Sequence, residues 1–502
     1  MGKTLLMKTK FYCHLKSHLS IDLKRYISIY SRLLSPQSQV TTDDPIRIAV
    51  VGSGPSGFYT TQQLLKNPRV FVDIYEKFPV PFGLVRYGVA PDHQSVKNVI
   101  NSFTTTALNK RVSFIGNVSI GSDSDITLQE IRNDYNAVVL CYGAAKDRRL
   151  HIEGEELSHV FSARRFVGWY NGVPNDKNLK FNVDCDTAVI IGHGNVALDC
   201  ARILLTDPKD MLSNTDITKY SLEKLSKSKI KNVYLVGRRG PMQVSFTIKE
   251  FRELTKLKNC KTIISPQDCQ HISQSFVESL DRPKRRLTEL IVNVSKESST
   301  DFGKYDKKCF VKFLRSPKLM KKDDLNAVSG VVFGINRYES EDNWFDKNTN
   351  VVTTEELEVI NCGFVLTSIG YQTILIDSSL PLDKRKGTIL NENGRVVGCG
   401  SGLYTSGWAA SGAQGVLLNT LNISVEVAKN ILMDIEDNQI ELNRRDGSKN
   451  ILNKLSEKGV NVVHFDDWKR IDQIEQQMGS TLGKPREKIV DTNEIIDILH
   501  KK

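Results

Sequence analysis

The fold class that this sequence predicts is α/β, with two Rossmann-like dinucleotide-binding units. Two stretches, far apart, each run from an apolar strand through a glycine-rich turn into a helix-like pattern: IRIAVVGSGPSGFYTTQQLLKN at 46–67 and DTAVIIGHGNVALDCARILLTD at 186–207. Each is followed by a second apolar strand, VFVDIYEK in one case and NVYLVGRR in the other. A late segment, 402–435, again reads as strand, glycine-rich turn and long helix.

The chain has 502 residues, too many for one hydrophobic core, and two to three domains are expected. Hydrophobic content of 40% and charged content of 25% are those of an ordinary globular protein. No run reaches the ~18 apolar residues that a membrane span needs. A peripheral association with a membrane is left open. The net charge is +11, and residues 1–40 hold seven Lys/Arg against one acid, Asp22, so six of those charges sit in the leader. The excess therefore does not describe a nucleic-acid-binding face. The leader is basic and poor in acids, and it lacks a continuous apolar stretch. This composition fits a mitochondrial transit peptide over residues 1–40; the plainer reading is a basic disordered tail. The nine cysteines form no Cys-x-x-Cys and have no zinc-ligand spacing, so neither a redox disulfide nor a metal site is expected.

In the first unit Gly52, Gly54 and Gly57 follow the strand directly. The first glycine allows the tight turn, the second lets backbone approach a pyrophosphate, and the third lets helix pack on strand. The next strand ends at Glu76, 19 residues beyond Gly57. A carboxylate there accepts from a free ribose 2′-hydroxyl, which suits FAD or NAD and disfavours NADP. In the second unit Gly192, Gly194 and Ala197 play the same parts, but the following strand runs into Arg238 and Arg239. Guanidinium groups accept nothing from a hydroxyl and bind a phosphate ester well, so this turn suits the 2′-phosphate of NADPH. The polar insertion 208–230 accounts for the longer separation. One chain thus carries an acid-ended and an arginine-ended cradle, the pairing expected of a flavoprotein that takes hydride from NADPH.

The stretches YEKFPVPFGLVRYGVAPDHQSVKNVI, FVGWYNGVP, GHGNVALDCARILLTDP, VGRRGPMQVSFTIKE, RPKRRLTEL, SIGYQT and GKPREKIVD resemble the mitochondrial adrenodoxin reductase family, within the glutathione-reductase-like flavoproteins. The resemblance runs from about residue 46 to the C-terminus. It implies an FAD domain in two parts, 46–146 and 372–502, with an NADPH domain, 147–371, inserted between them. It places FAD contacts on Ser56, Glu76, Leu84, Val118, Trp408, Gly415, Val416 and Leu417. NADPH contacts fall on His193, Gly194, Asn195, Val196, Arg238, Arg239 and Glu250, with Gly415 near the nicotinamide. Glu250 would pair with the carboxamide; alone it reads as a surface helix acid. Trp408 alone reads as core packing. His93 and Asp199 are candidates for handling the proton of flavin reduction, and each alone reads rather as structural.

The partner implied is an acidic [2Fe–2S] ferredoxin docking on Arg282 and Arg286 in DRPKRRLTEL, a charge run that without the resemblance reads as a solvated face. The expected activity is NADPH–ferredoxin reduction in the mitochondrial matrix, feeding iron–sulfur cluster assembly or haem-linked hydroxylation, with peripheral inner-membrane association left open. Two other readings compete: an electron-input flavoprotein resembling the glutamate synthase small subunit, and a non-catalytic nucleotide-binding protein. Two features depart from the family's pattern. His193 stands where Gln is frequent, and Ala410 and Ser411 replace two cations, which puts the strength of the ferredoxin contact in doubt.

Overall fold

The strands form where β-branched and aromatic residues run together. Ile46–Val51 (β1) is buried at five of its six positions, as a strand covered on both faces must be. With Val70–Glu76 (β2), Val112–Gly116 (β3) and Ala137–Leu140 (β4) it makes a parallel sheet in the order β4-β1-β2-β3. The structure, a computed structural model, describes residues 44–298, 302–340 and 342–501. The transit peptide expected over residues 1–40 lies outside the described residues. Both sheets belong to a single compact unit, Ile46–Lys502.

After β4 the chain leaves the first sheet through Lys146–Asp147 (β5). It then builds a second sheet from Val160–Ser162 (β6), Thr187–Ile191 (β7), Asn232–Val236 (β8), Cys260–Ile264 (β9) and Lys307–Lys312 (β10). Arg315–Lys322 (β11), Val328–Tyr338 (β12) and Val351–Asn361 (β13) form a separate antiparallel sheet. Phe364–Thr367 (β14) then returns to the second sheet between β6 and β7, giving the all-parallel order β6-β14-β7-β8-β10-β9.

Tyr371–Gln372 (β15) pairs antiparallel with β5, so the outgoing and returning chains form one short ribbon. A small hairpin, Leu382–Asp383 (β16) with Thr388–Ile389 (β17), follows. Asn391–Glu392 (β18), Arg395–Val396 (β19) and Leu403–Thr405 (β20) complete the first sheet, β20 lying parallel beside β4. A segment more than 250 residues downstream thus finishes the sheet that residues 46–140 began.

The polar insertion 208–230 is not a bare loop. It holds the helices Pro208–Met211 and Lys219–Leu225, and it buries Leu212, Ile217, Leu225 and Ile230 in the core of the second sheet. The charged C-terminal part folds as the helices Ser448–Glu457, Phe465–Thr481 and Thr492–His500. Two buried ion clusters hold it in place. Arg86 makes a two-pronged bond to Glu475 (2.8 and 2.5 Å), and Arg486 joins the same carboxylate at 3.2 Å. Asp216, from the insertion, receives both Lys97 (2.6 Å) and Lys488 (3.1 Å), so their charges pull its carboxyl far below the usual range. These clusters specify position: removing one member strands the others without water.

Candidate functional site

The first turn explains its three glycines. Gly52 has φ +108° and donates its N–H to the Tyr75 carbonyl (2.8 Å). A Cβ on Gly57 would fall on the Gly52 carbonyl oxygen, whereas one on Gly54 would meet nothing within 4 Å. The open space is at the second glycine, beside the N-terminus of the helix Pro55–Leu64. Pro55 has no N–H, which leaves those of Ser56 and Gly57 as unspent donors of the first turn.

Glu76 is buried at the end of β2 and accepts from Ser53 N (3.0 Å), Ser53 Oγ (2.8 Å) and Phe78 N (3.1 Å). Its Oε1 takes only one of these bonds and keeps acceptor capacity for a ribose hydroxyl. The Ser56 hydroxyl points elsewhere: it joins Ser406 (3.0 Å) and Ser424 (3.1 Å) inside the crossing with the helix Leu417–Glu436. Ser56 can therefore serve a phosphate through its backbone, not its side chain. Val118 is buried, and its N–H is spent on the Glu76 carbonyl.

Two further segments approach the same turn. A Cβ on Gly83 would meet Gly54 Cα at 2.9 Å, so the half-exposed Leu84 begins beside the open glycine. A Cβ on Gly407 would meet Ser56 Cβ at 2.6 Å, which brings the Trp408 turn to the same place. The Trp408 ring lies 6.3 Å from that of Tyr371 on the β5–β15 ribbon. Gly415, at φ +81°, leads into Val416 and Leu417, where Asn419 Oδ1 caps the Val416 N–H (3.1 Å). Leu84, Val416 and Leu418 are large apolar side chains left exposed.

The second turn repeats the first. Gly192 has φ +130° and donates to the Val236 carbonyl at 2.8 Å; a Cβ on Gly194 meets nothing within 4 Å. Asn195 Oδ1 accepts from Thr247 N (2.8 Å), and Val196 follows in the first turn of the helix Asn195–Leu205. His193 reaches back with Nε2 to the Leu235 carbonyl (3.2 Å), and burial pushes its pKa down to about 4.

The register now refines the sequence reading. Val51 pairs with Tyr75 and Ile191 with Val236, so the residue that matches Glu76 is Gly237, not an arginine. A Cβ on Gly237 would strike the His193 ring. Arg238 and Arg239 come one step further out. Arg238 is exposed, while Arg239 is partly buried and donates to the Lys347 carbonyl (3.0 Å). Neither has a carboxylate partner among the described residues. Burial, and then the charge of Arg238, lower the pKa of Arg239.

His93 and Glu250, from other segments of the chain, lie near enough to Asp199 for their charges to act on it. His93 Nε2 lies 2.6 Å from Glu253 Oε2, on the helix Ile248–Thr255 that also carries Glu250. Arg202 binds both Asp92 and Asp199, the latter at 2.5 Å. Burial pushes the Asp199 carboxyl up to about 7; His93 opposes this and Glu250 and Glu253 reinforce it. Glu250 Oε2 is buried with no hydrogen-bond partner. That orphaned acceptor fits an amide NH2 donor such as a nicotinamide carboxamide. The sequence reading missed Glu253, although it lies three residues after Glu250 on the same helical face.

Arg282 and Arg286 are exposed, one turn apart on the helix Arg282–Glu297, which Asp281 caps through Lys284 N (3.0 Å). Neither is ion-paired among the described residues. Ala410 and Ser411 end the short helix after Trp408, and the Ser411 hydroxyl is turned inward to the Gly407 carbonyl (3.0 Å).

Two sheets that each carry a glycine turn between strand and helix, one with a carboxylate at the end of its next strand and the other with two arginines just beyond, define a two-dinucleotide oxidoreductase. The comparisons narrow this. No protein-family model matches the chain. It is 46% identical to human mitochondrial NADPH:adrenodoxin oxidoreductase, over 91% of this chain and 93% of that one. It is 39% identical to the protein of the same name from Arabidopsis thaliana, over 94% and 99%. The solved structure of Mycobacterium tuberculosis FprA in complex with NADPH matches with a TM-score of 0.83 and 33% identity, over 91% of this chain and 99% of that one. The chain belongs to the NADPH:adrenodoxin oxidoreductase family.

Proposed function

We propose that this chain is an FAD-dependent NADPH:ferredoxin oxidoreductase of the mitochondrion, working in the matrix on an acidic [2Fe–2S] ferredoxin of the adrenodoxin type. One observation carries the reading: a single folded unit holds both cradles, and their ends have opposite charge and opposite hydrogen-bonding sense. Bound there, FAD supplies the step between two-electron hydride chemistry and one-electron carriers.

The residues divide the work. The Gly52–Gly57 turn and the free N–H groups of Ser56 and Gly57 take the FAD pyrophosphate, and Glu76 takes its ribose. Leu84, Trp408 and Gly415–Leu417 wall the ring. The Gly192–Ala197 turn, with His193, Asn195 and Val196, takes the second pyrophosphate. Arg238 and Arg239 take the 2′-phosphate, and Glu250 orients the carboxamide. His93 and Asp199 would handle the proton of flavin reduction, His93 with Glu253 at 2.6 Å and Asp199 with Arg202 beside it. Arg282 and Arg286 receive the ferredoxin; with Ala410 and Ser411 uncharged, they carry most of that attraction. The domain limits that go with this reading are 46–146 and 372–502 for FAD and 147–371 for NADPH. No helix among the described residues is long and apolar enough to cross a membrane.

The test is rapid mixing of the flavin-loaded protein with NADPH and then with a mitochondrial [2Fe–2S] ferredoxin. The expected result is bleaching of the flavin band followed by reduction of the ferredoxin. A protein that binds no flavin, or that bleaches with NADPH yet passes electrons only to quinones or disulfides, would overturn it.

A further inference from the structure

We infer that Gln243 and Asn336 are positioning residues for recognition of the 2′-phosphate: they fix the loop of Arg238 and Arg239 beneath a strap, Trp344–Lys347, whose backbone in turn holds Arg239. The inference rests on the assignment of the two arginines to that phosphate and extends it to groups that touch no ligand.

Gln243 is buried, and both ends of its amide are engaged. Its Nε2 donates to the carbonyls of Trp344 (2.7 Å) and Asp346 (2.9 Å), and its Oε1 accepts the Gly240 N–H (3.1 Å). One side chain thus ties the residue after the arginines to a loop a hundred positions downstream. Arg239 then donates to the next carbonyl of that loop, Lys347, at 3.0 Å. The Trp344 ring is packed against Phe276 (4.8 Å) and Tyr338 (6.4 Å), which anchors the strap from its other side. Asn336, also buried, donates Nδ2 to the Arg238 carbonyl (2.6 Å) and to Ser316 Oγ (2.9 Å).

The arginines therefore play unequal parts. Arg239 is held in one orientation by a carbonyl that the strap presents, and Arg238 has a fixed backbone and a free guanidinium. A cation held in advance loses less side-chain freedom when the phosphate arrives, and that saving appears as affinity. The saving applies only to a ligand that has the 2′-phosphate.

The experiment measures binding, not turnover. Isothermal titration of the flavin-loaded full chain with 2′,5′-ADP and with 5′-AMP isolates the 2′-phosphate. Gln243→Met keeps the volume and removes all three bonds. It should weaken 2′,5′-ADP by roughly five- to twentyfold, the scale of one or two lost hydrogen bonds, and leave 5′-AMP unchanged. Arg239→Ala should weaken 2′,5′-ADP further, and the double variant should be no weaker than Arg239→Ala alone, because Gln243 acts through that arginine. Asn336→Ala should show the same selectivity and serves if Gln243→Met does not fold. Equal weakening of both nucleotides, or full additivity in the double variant, would overturn the inference while leaving the arginines as phosphate ligands. If Arg238→Ala and Arg239→Ala themselves leave 2′,5′-ADP binding unchanged, the arginine assignment falls, and this inference with it.

Discussion

The two glycine turns are close copies in backbone and opposites in what closes them. Gly52 and Gly192 make the same 2.8 Å bond to the second strand of their sheets, both have positive φ, and both leave the middle glycine facing open space. The difference begins with the residue between the first two glycines. Ser53 reaches the Glu76 carboxylate, whereas His193 reaches a backbone carbonyl of β8 and fills the room that a side chain at Gly237 would need. Changing ribose preference thus takes more than exchanging an acid for an arginine. The carboxylate's own position is a glycine, a ring takes up the space beside it, and the cations are set one and two residues further out.

The largest expected effect comes from making the second cradle like the first. Gly237→Glu would strike the His193 ring and put a carboxylate where the 2′-phosphate binds; NADPH affinity should fall by about a hundredfold or more, read as KM and as binding of 2′,5′-ADP. If NADPH binding survives, the register comparison is wrong.

Next come the glycines of the first cradle. Gly57→Val should destabilise the apo-protein by about 3 kcal/mol, because its Cβ falls on the Gly52 carbonyl. Gly54→Ala should leave the apo-protein melting temperature unchanged yet reduce flavin retention on dialysis, since its Cβ enters open space. Equal losses of stability would mean that the second glycine serves the fold and not a ligand.

Arg238→Ala should cost ~1.5–3 kcal/mol in NADPH recognition, roughly ten- to a hundredfold in kcat/KM, with NADH use nearly unchanged. The exposed pair Arg282 and Arg286 should matter less. Replacing both with Ala should slow ferredoxin reduction several-fold at low salt and spare ferricyanide reduction, with the difference fading as salt rises. Parallel loss of both activities would remove the docking role.

A separate effect, on stability and not on recognition, is expected in acid. The folded-state pKa of His193 is pushed down to about 4, below its unfolded value of about 6.5. Between those values the unfolded chain binds a proton that the folded chain does not, so stability falls as pH drops through this window and is regained as pH rises. A His193→Gln variant should show a shallower loss of melting temperature from pH 6.5 to 4. An unchanged slope would assign the acid sensitivity elsewhere.

Much of the site was legible because a glycine turn is a local device. The roles of Gly52, Gly54 and Gly57, the strand ending at Glu76 and the arginines beyond β8 follow from residues close together in the chain, where backbone sterics and hydrogen-bonding sense decide. The antiparallel sheet β11–β13 was not legible, since its charged, two-sided strands lack a clean alternation. Nor was the helical packing of 208–230, whose apolar residues are sparse and find their partners only in the core.

Two glycine cradles, and the sign of charge that ends each, are written in local stretches of the chain. Folding set which position matches Glu76, that the Ser56 hydroxyl turns to Ser406 and Ser424, and that His93 meets Glu253 while Arg202 reaches Asp92. These facts depend on strand register and on contacts between segments tens to hundreds of residues apart. Such contacts are chosen by which surfaces can be buried together without leaving a polar group unpaired, and no local pattern encodes that choice.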